Sequence, residues 1–171
     1  MKEELSIIYS RRSIRKYQTK PVPVEILTEL IEAAMAAPSA VNTRPWEFVV
    51  ITQAKKLEQV KKVLKHANYD SPAGIVVCGK PAAAFATPDG NFMEQDCAAA
   101  TENILIAASG LGLGTVWTAI YPDRNQVKNV SMELNLPQGV VPFAFVLVGY
   151  PAEEKPARTQ FDPKALHWES Y

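Results

Sequence analysis

Residues 38–46 read Pro-Ser-Ala-Val-Asn-Thr-Arg-Pro-Trp, and this stretch says most about the fold. It joins a helical pattern to a strand pattern through small and turn-forming residues, an amide and two prolines. Because proline fixes the backbone φ angle, such a loop is stiff. A stiff loop with polar side chains is suited to present hydrogen-bond donors to a flat ligand, although a plain helix–strand connection can have the same composition.

A basic cluster, Arg-Arg-Ser-Ile-Arg at residues 11–15, precedes this loop. The planar guanidinium fork matches phosphate oxygens in two-point geometry, and a serine hydroxyl adds a further donor. A solvated basic patch is the simpler interpretation of the cluster alone. Nucleic-acid binding is disfavoured because 18 basic residues balance 18 acidic ones and no aromatic residues are interleaved with the cluster.

Hydrophobic periodicity predicts alternating helices and strands around these motifs. Helical spacing predicts helices over residues 24–37, 54–65, 95–109 and 123–134, and apolar or β-branched runs predict strands over residues 46–52, 74–78, 115–120 and 140–148. The alternation indicates an α+β or α/β protein with a central sheet covered by helices. Helix 95–109 is apolar on several sides, which predicts burial in a core or at a subunit interface. Pro142 predicts an edge or first-residue position in the last strand.

The last 21 residues, 151–171, contain three prolines and little periodicity, which predicts an extended arm. No linker divides the chain, so residues 1–171 are predicted to form a single domain. An arm without a core of its own must lie on the same chain or on a partner subunit.

Composition excludes several classes of protein. No apolar run approaches the roughly 20 residues of a membrane helix, and Met1-Lys2-Glu3-Glu4 does not resemble a secretory signal, so we expect no membrane partner and a cytoplasmic location. Cys78 and Cys97 match no metal or redox spacing, and with two histidines we expect no metal site. The glycines at 110, 112 and 114 follow a helix rather than a strand, which argues against a dinucleotide fingerprint.

Taken together, these motifs resemble the nitroreductase family in order and spacing. Residues 96–100, Asp-Cys-Ala-Ala-Ala, and 110–117, Gly-Leu-Gly-Leu-Gly-Thr-Val-Trp, resemble its central helix and glycine turn, and Gly149-Tyr150-Pro151 begins a similar closing segment. The resemblance implies an α+β fold with a central, mostly antiparallel sheet covered by helices. It also implies a homodimer with swapped C-terminal arms and two FMN molecules bound at the subunit interface.

The resemblance also assigns cofactor-binding residues by position. Those implied to hold the FMN phosphate and ribityl chain are Arg11, Arg12, Ser13 and Arg15, completed by Lys155 or Arg158. Those implied to lie near the flavin ring are Pro38, Ser39, Ala40 and Asn42 of the partner subunit, with Asn68, Val116, Trp117 and Thr118.

The implied activity is that of an FMN-dependent oxidoreductase. It would transfer a hydride or electrons in a ping-pong reaction from NADH or NADPH to nitroaromatics, quinones or similar electron-poor acceptors. The flavin carries this chemistry, so no catalytic side chain is predicted. Reductive dehalogenation on the same fold and a non-catalytic flavin-binding redox module are the alternatives. Substrate and electron donor stay open, because residues 80–91 form a short loop where longer family members carry an insertion.

Overall fold

The structure is a computed structural model that describes residues 3–171, so Met1 and Lys2 of the charged N-terminus lie outside the described residues. The helices are α1 (Ser6–Ser10), α2 (Val24–Met35), α3 (Ala54–Lys62), α4 (Met93–Gly110) and α5 (Arg124–Leu134). The strands are β1 (Trp46–Ile51), β2 (Ala73–Gly79), β3 (Ala86–Thr87), β4 (Gly90–Asn91), β5 (Gly114–Ala119) and β6 (Val141–Gly149).

Four strands form the central sheet in the order β1-β2-β6-β5, and every neighbouring pair is antiparallel. This arrangement confirms the predicted α+β class with an antiparallel sheet. The short strands β3 and β4 form a separate hairpin within the loop that precedes α4.

Helices cover both faces of the sheet, and β2 shows why. All its residues are buried, with Ile75 and Val77 in the core cluster that includes residues of α2 and α4. Val76 and Cys78 point the other way, into the cluster that includes residues of α3 and α5. A strand covered on both faces needs a continuous apolar run rather than an alternating one. The sheet is therefore the middle layer of three.

The long helix α4 packs against α2 and the sheet, as its apolar sequence predicted. Close packing depends on small residues: a Cβ atom on Gly79 of β2 would lie 2.3 Å from the Met93 sulfur. No helix within residues 3–171 is long and apolar enough to cross a membrane.

The edge or first-residue position predicted from Pro142 is wrong, because β6 is an inner strand between β2 and β5 and begins at Val141. Pro142 is the second residue of that strand and lies where the pairing register with β2 shifts between Val77 and Cys78. An irregularity of this kind tolerates the missing N–H of proline inside a sheet.

The described hydrogen bonds between the C-terminal arm and the rest of the chain all involve its first eight residues, 151–158. The Ala152 N–H donates to the Lys16 carbonyl at 2.9 Å, and every residue from 156 to 171 is exposed. Three aromatic side chains are largely open to solvent: Phe161 is 70% exposed, Trp168 75% and Tyr171 105%. The arm is thus extended, as predicted, and covers no core of its own chain.

Candidate functional site

A cavity of about 180 Å³ lies where the loop after α1 meets the C-terminal end of α4 and the start of β5. We call it the anion pocket. Its lining includes Arg11, Arg12, Ser109, Thr115, Glu153 and Lys155. Residues near both ends of the sequence therefore meet in one place, and three cationic side chains face a single carboxylate there.

The basic loop, residues 11–16, is fixed to the outer strand β5. The Ile14 N–H donates to the Thr115 carbonyl at 2.8 Å, and Ser13 pairs with Thr115 in a parallel bridge. This approach requires a glycine at 114, because a Cβ atom there would lie 2.7 Å from Ile14. The glycine turn thus has a packing role in bringing the arginines to the pocket.

Glu153 fixes the other side of the basic loop. Its carboxylate accepts hydrogen bonds from the backbone N–H groups of Arg15, at 2.6 Å, and Lys16, at 3.3 Å. The Arg15 bond, supported by Lys155 at 3.2 Å and opposed by burial, holds the pKa of Glu153 below its ordinary value. Lys155 Nζ in turn donates to the Ser13 carbonyl at 2.6 Å.

The arginines of the pocket differ in how far their hydrogen-bonding capacity is used. Arg11 Nε lies 3.5 Å from the Glu102 carboxylate. Arg12 donates through one guanidinium nitrogen to the Pro156 carbonyl, but its Nε is buried and has no hydrogen-bond partner within the described chain. A buried, unpartnered guanidinium N–H is costly, so the pocket carries a free donor suited to an anion. The residues present therefore fit a phosphate group.

The second cluster, residues 38–44, forms the strained loop at the opposite end of α4. Val41, Asn42 and Arg44 have φ angles of 45°, 58° and 49°, in the left-handed region. The Ala40 N–H donates to Asp96 Oδ1 at 2.9 Å. Trp46, immediately after the loop, is buried in the core.

The structure does not bring the two clusters together in one chain. Asp96 contacts the strained loop and Ser109 lines the anion pocket. These residues are about 20 Å apart along α4 at the 1.5 Å rise per residue of an α-helix. None of Pro38, Ser39, Ala40 and Asn42 lines the anion pocket.

The predicted ring-edge residues lie on β5, an outer strand of the sheet. Val116 is buried in the core on the α3 and α5 side. Trp117 is half-buried, with its ring edge-on to Phe143 at 5.9 Å between centroids. The hydroxyl of Thr118 donates to the Phe145 carbonyl at 2.8 Å. Thr118 thus uses its hydroxyl within the fold.

Four further predicted residues do not line the anion pocket, and Ser13, beside Arg12 in the basic loop, is one of them. Asn68 is exposed and lines a separate surface depression with Glu58 and other residues of α3. Arg15 is exposed, and its guanidinium carbon lies 5.9 Å from the ring centroid of Tyr69. Arg158 is also exposed, and its backbone N–H donates to the Tyr9 carbonyl at 3.1 Å.

Sequence reasoning missed two carboxylates that organise these clusters, Glu153 and Asp96. Glu153 lies beside the predicted Lys155, and Asp96 begins the family-like segment 96–100. The sequence around each of them does not distinguish it from a solvent-exposed acidic residue. The backbone N–H groups that they bind can therefore be identified only from the structure. The part of the chain described here also contains no group of three acidic, histidine or cysteine residues placed to hold a metal ion.

Comparison with known proteins adds independent evidence. The sequence matches a family model described as "Nitroreductase family" over residues 8–74 and 62–150. It is 40% identical over 169 residues to "Putative NADH dehydrogenase/NAD(P)H nitroreductase" of Methanothermobacter thermautotrophicus, covering 98% of this chain and 87% of the relative. It is 29% identical over 192 residues to "FMN reductase [NAD(P)H]" of Bacillus subtilis, covering 100% of this chain and 75% of the relative.

The crystal structure of "Putative NADH dehydrogenase/NAD(P)H nitroreductase" from Parabacteroides distasonis has the same fold. The two chains superpose with a TM-score of 0.92 at 36% sequence identity, and the match covers 100% of both. The similarity therefore extends over the sheet, the helices and the C-terminal arm.

Proposed function

Because this chain belongs to the nitroreductase family, we propose that it transfers electrons from NADH or NADPH through FMN to nitroaromatics, quinones or similar electron-poor compounds. At the coarser level, the relatives identify the chain as a flavin-dependent oxidoreductase that uses FMN with NAD(P)H as electron donor. The choice of acceptor and of nicotinamide is the part that we propose.

The observation that carries the proposal is the unpartnered, buried Arg12 Nε in a pocket lined by three cations. We assign the FMN phosphate to this pocket, held by Arg11, Arg12 and Lys155. A terminal phosphate is close to a dianion and needs several charge-assisted donors when it is buried. Lys155 is preferred to Arg158 for this role because Lys155 lines the pocket and Arg158 is exposed outside it. Ser13 stays assigned to the phosphate end as a neighbour of these residues.

When bound, FMN accepts electrons from the reduced nicotinamide and passes them to the second substrate. The protein provides binding and orientation. The basic loop fixes the phosphate end, and we propose that the outer edge of β5 at residues 116–118 faces the ring edge. Asn68 and Arg15 keep their assignment to the ring and ribityl chain as proposals. No side chain is assigned as an acid, base or nucleophile.

We propose that the strained loop completes the flavin site of a second copy of the chain. Its distance of about 20 Å along α4 from the anion pocket supports this, because one chain alone separates the two clusters. In this arrangement Pro38, Ser39, Ala40 and Asn42 line the ring bound by the partner subunit. The protein is then a homodimer of single FMN-binding domains, residues 1–171, and the cytoplasmic location stays a prediction.

The arm supports the same arrangement. An apolar groove of about 330 Å³ lies between α2 and the outer strand β1, with Val24 67% exposed and Val50 41% exposed. The arm carries exposed aromatic residues that its own chain leaves uncovered. Burying such groups on a second subunit stabilises the complex by about 1.5–3 kcal/mol for each side chain. We therefore propose that the arms are exchanged between the subunits.

The test begins with the visible spectrum of the purified protein. We expect a yellow protein with about one non-covalent FMN for each chain, which NADH or NADPH bleaches in the absence of oxygen. A screen of nitroaromatic, quinone and haloaromatic acceptors then measures turnover. A protein that neither contains nor binds FMN contradicts the proposal. Bleaching without turnover favours the redox module, and turnover confined to haloaromatics favours dehalogenation.

A further inference from the structure

The strained loop needs support from outside itself. Val41 and Asn42 adopt a left-handed backbone that side chains avoid, and a β-branched valine avoids it most. Such a conformation persists only when surrounding contacts hold the backbone in place. Arg44, two residues further on, adds a third left-handed position.

Asp96 provides that contact. Inside the loop, Ser39 accepts hydrogen bonds from the backbone N–H groups of Asn42 and Arg44, both at 2.9 Å, but these bonds only close local turns. Across residues 3–171, the hydrogen bond that links the strained loop to another element is the one from Ala40 N to Asp96 Oδ1. The hydrogen bonding of the loop to α4 therefore depends on one carboxylate.

The surroundings of Asp96 indicate that this bond is its main interaction. The residue is 4% exposed and lies in the first turn of α4, where the helix dipole favours a negative charge. Its second oxygen, Oδ2, is buried and meets no hydrogen-bond donor in the described part of the chain. Burial of a carboxylate is costly, and the bond from Ala40 is the hydrogen bond that offsets this cost here.

We propose that Asp96 is a positioning residue for flavin binding, which holds the strained loop in the left-handed geometry that meets the ring of the partner subunit's FMN. The role of the loop in this inference rests on the proposed function, whereas the hydrogen bond between Ala40 and Asp96 is seen in the structure itself. Asparagine at position 96 can still accept from Ala40 through its amide oxygen, whereas alanine cannot. The two substitutions therefore separate the hydrogen bond from the charge.

The experiment compares wild type, Asp96→Ala and Asp96→Asn by two measurements. Amide hydrogen exchange of residues 38–44 in the apoprotein reports the order of the loop, and fluorescence titration gives the Kd for FMN. We expect about tenfold faster exchange and about tenfold weaker FMN binding in Asp96→Ala, the size of one lost hydrogen bond. Asp96→Asn should stay within about threefold of wild type in both measurements. Asp96→Ser replaces the alanine variant if thermal unfolding shows that the latter is not folded.

Adding Val41→Gly to Asp96→Ala sharpens the test. Glycine adopts the left-handed backbone without steric cost, so the double variant should recover part of the lost FMN affinity. A general destabilisation of α4 would not be recovered in this way. Unchanged exchange and unchanged Kd in Asp96→Ala would overturn the inference, as would an asparagine variant as impaired as alanine. Failure of wild type to bind FMN would overturn the proposed function, while the exchange data would still test Asp96.

Discussion

The basic loop and the strained loop contribute to one proposed flavin site, yet the chain holds them in different ways. The basic loop is bonded on one side to Thr115 of β5 and on the other to Glu153 and Lys155. Among the residues described, the strained loop is hydrogen-bonded to α4 through Asp96 alone. The chain therefore organises the charged end of the proposed site itself, whereas the ring end would depend on a single hydrogen bond and, in the proposed dimer, on a second subunit.

The largest effect on the ring end of the proposed site is expected from deletion of residues 160–171. The deletion removes the exposed aromatic residues Phe161, Trp168 and Tyr171 but spares the contact of Arg12 with Pro156. If the arm lies on a second copy, we expect the dimer to dissociate and the flavin to be lost, because each aromatic residue contributes about 1.5–3 kcal/mol when buried. Sedimentation of the holoprotein at low micromolar concentration measures both.

The matched control for the deletion is the point variant Phe161→Ser, which shortens nothing and should weaken the dimer less. A truncated protein that remains a yellow dimer would show that residues 160–171 of the arm neither join the subunits nor complete the site. The ring end would then depend on the second subunit without the arm.

A smaller but still large effect is expected from Arg12→Ala. Its buried Nε has no hydrogen-bond partner in the described structure, so a new hydrogen bond to a phosphate should stabilise the complex most at this residue. A charged hydrogen bond is worth about 1.5–3 kcal/mol, or about one to two decades in the Kd for FMN. Titration of the apoprotein with FMN measures this change.

Two other arginines serve as controls for Arg12. Arg11 already faces Glu102 at 3.5 Å, so Arg11→Ala should cost less than Arg12→Ala. Arg158 is exposed outside the anion pocket, and Arg158→Ala should change the Kd least. An Arg158 effect larger than the Arg12 effect would show that the arm, rather than the basic loop, supplies the phosphate ligand.

The smallest effect concerns Glu153→Gln and its dependence on pH. The folded protein lowers the pKa of Glu153, chiefly through the Arg15 N–H, so its carboxylate stabilises the fold at neutral pH. This stabilisation is lost as the pH falls through the carboxylate range, from about 5 towards 3. We expect Glu153→Gln to lower Tm by roughly 2–4 °C at pH 7, about 1 kcal/mol for a chain of this size, since solvent weakens a partly exposed ion pair.

In acid, the melting temperatures of wild type and Glu153→Gln should converge. The exposed neighbour offers a matched control, because Glu154→Gln should keep the wild-type acid dependence. A constant difference in Tm between Glu153→Gln and wild type from pH 7 to pH 3 would contradict the assigned role of the charge.

The sequence predicted the elements well because burial imposes periodicity. The helix expected over residues 95–109 is Met93–Gly110, and the strand expected over residues 46–52 is Trp46–Ile51. The edge position inferred from Pro142 was wrong. Proline lacks a backbone N–H, so it requires only a position where no hydrogen bond to the neighbouring strand is made, and the register shift inside the sheet provides one. Apolar periodicity thus predicts which segments form the buried helices and strands, whereas a single proline does not determine the order of the strands in the sheet.

The candidate site was less accessible to sequence reasoning. Arg11, Arg12 and Lys155 could be named because the cations implied to bind the phosphate follow a recognisable family pattern, and the structure brings these three together. Their supports could not be named, because Glu153 bonds to backbone groups more than a hundred residues away, at Arg15 and Lys16. Backbone N–H groups are the same at every position, so no sequence pattern records which of them a carboxylate will bind.

The burial of the two cysteines has a practical consequence for labelling the strained loop. Cys78 and Cys97 are both fully buried, and burial raises the pKa of each thiol to about 12. Because the thiolate is the reactive form, neither should be alkylated by maleimide reagents while the protein is folded. For thiol-directed labelling the native chain therefore behaves as if it had no cysteine. A single cysteine introduced at the exposed Val41 would then accept one fluorophore at the tip of the strained loop.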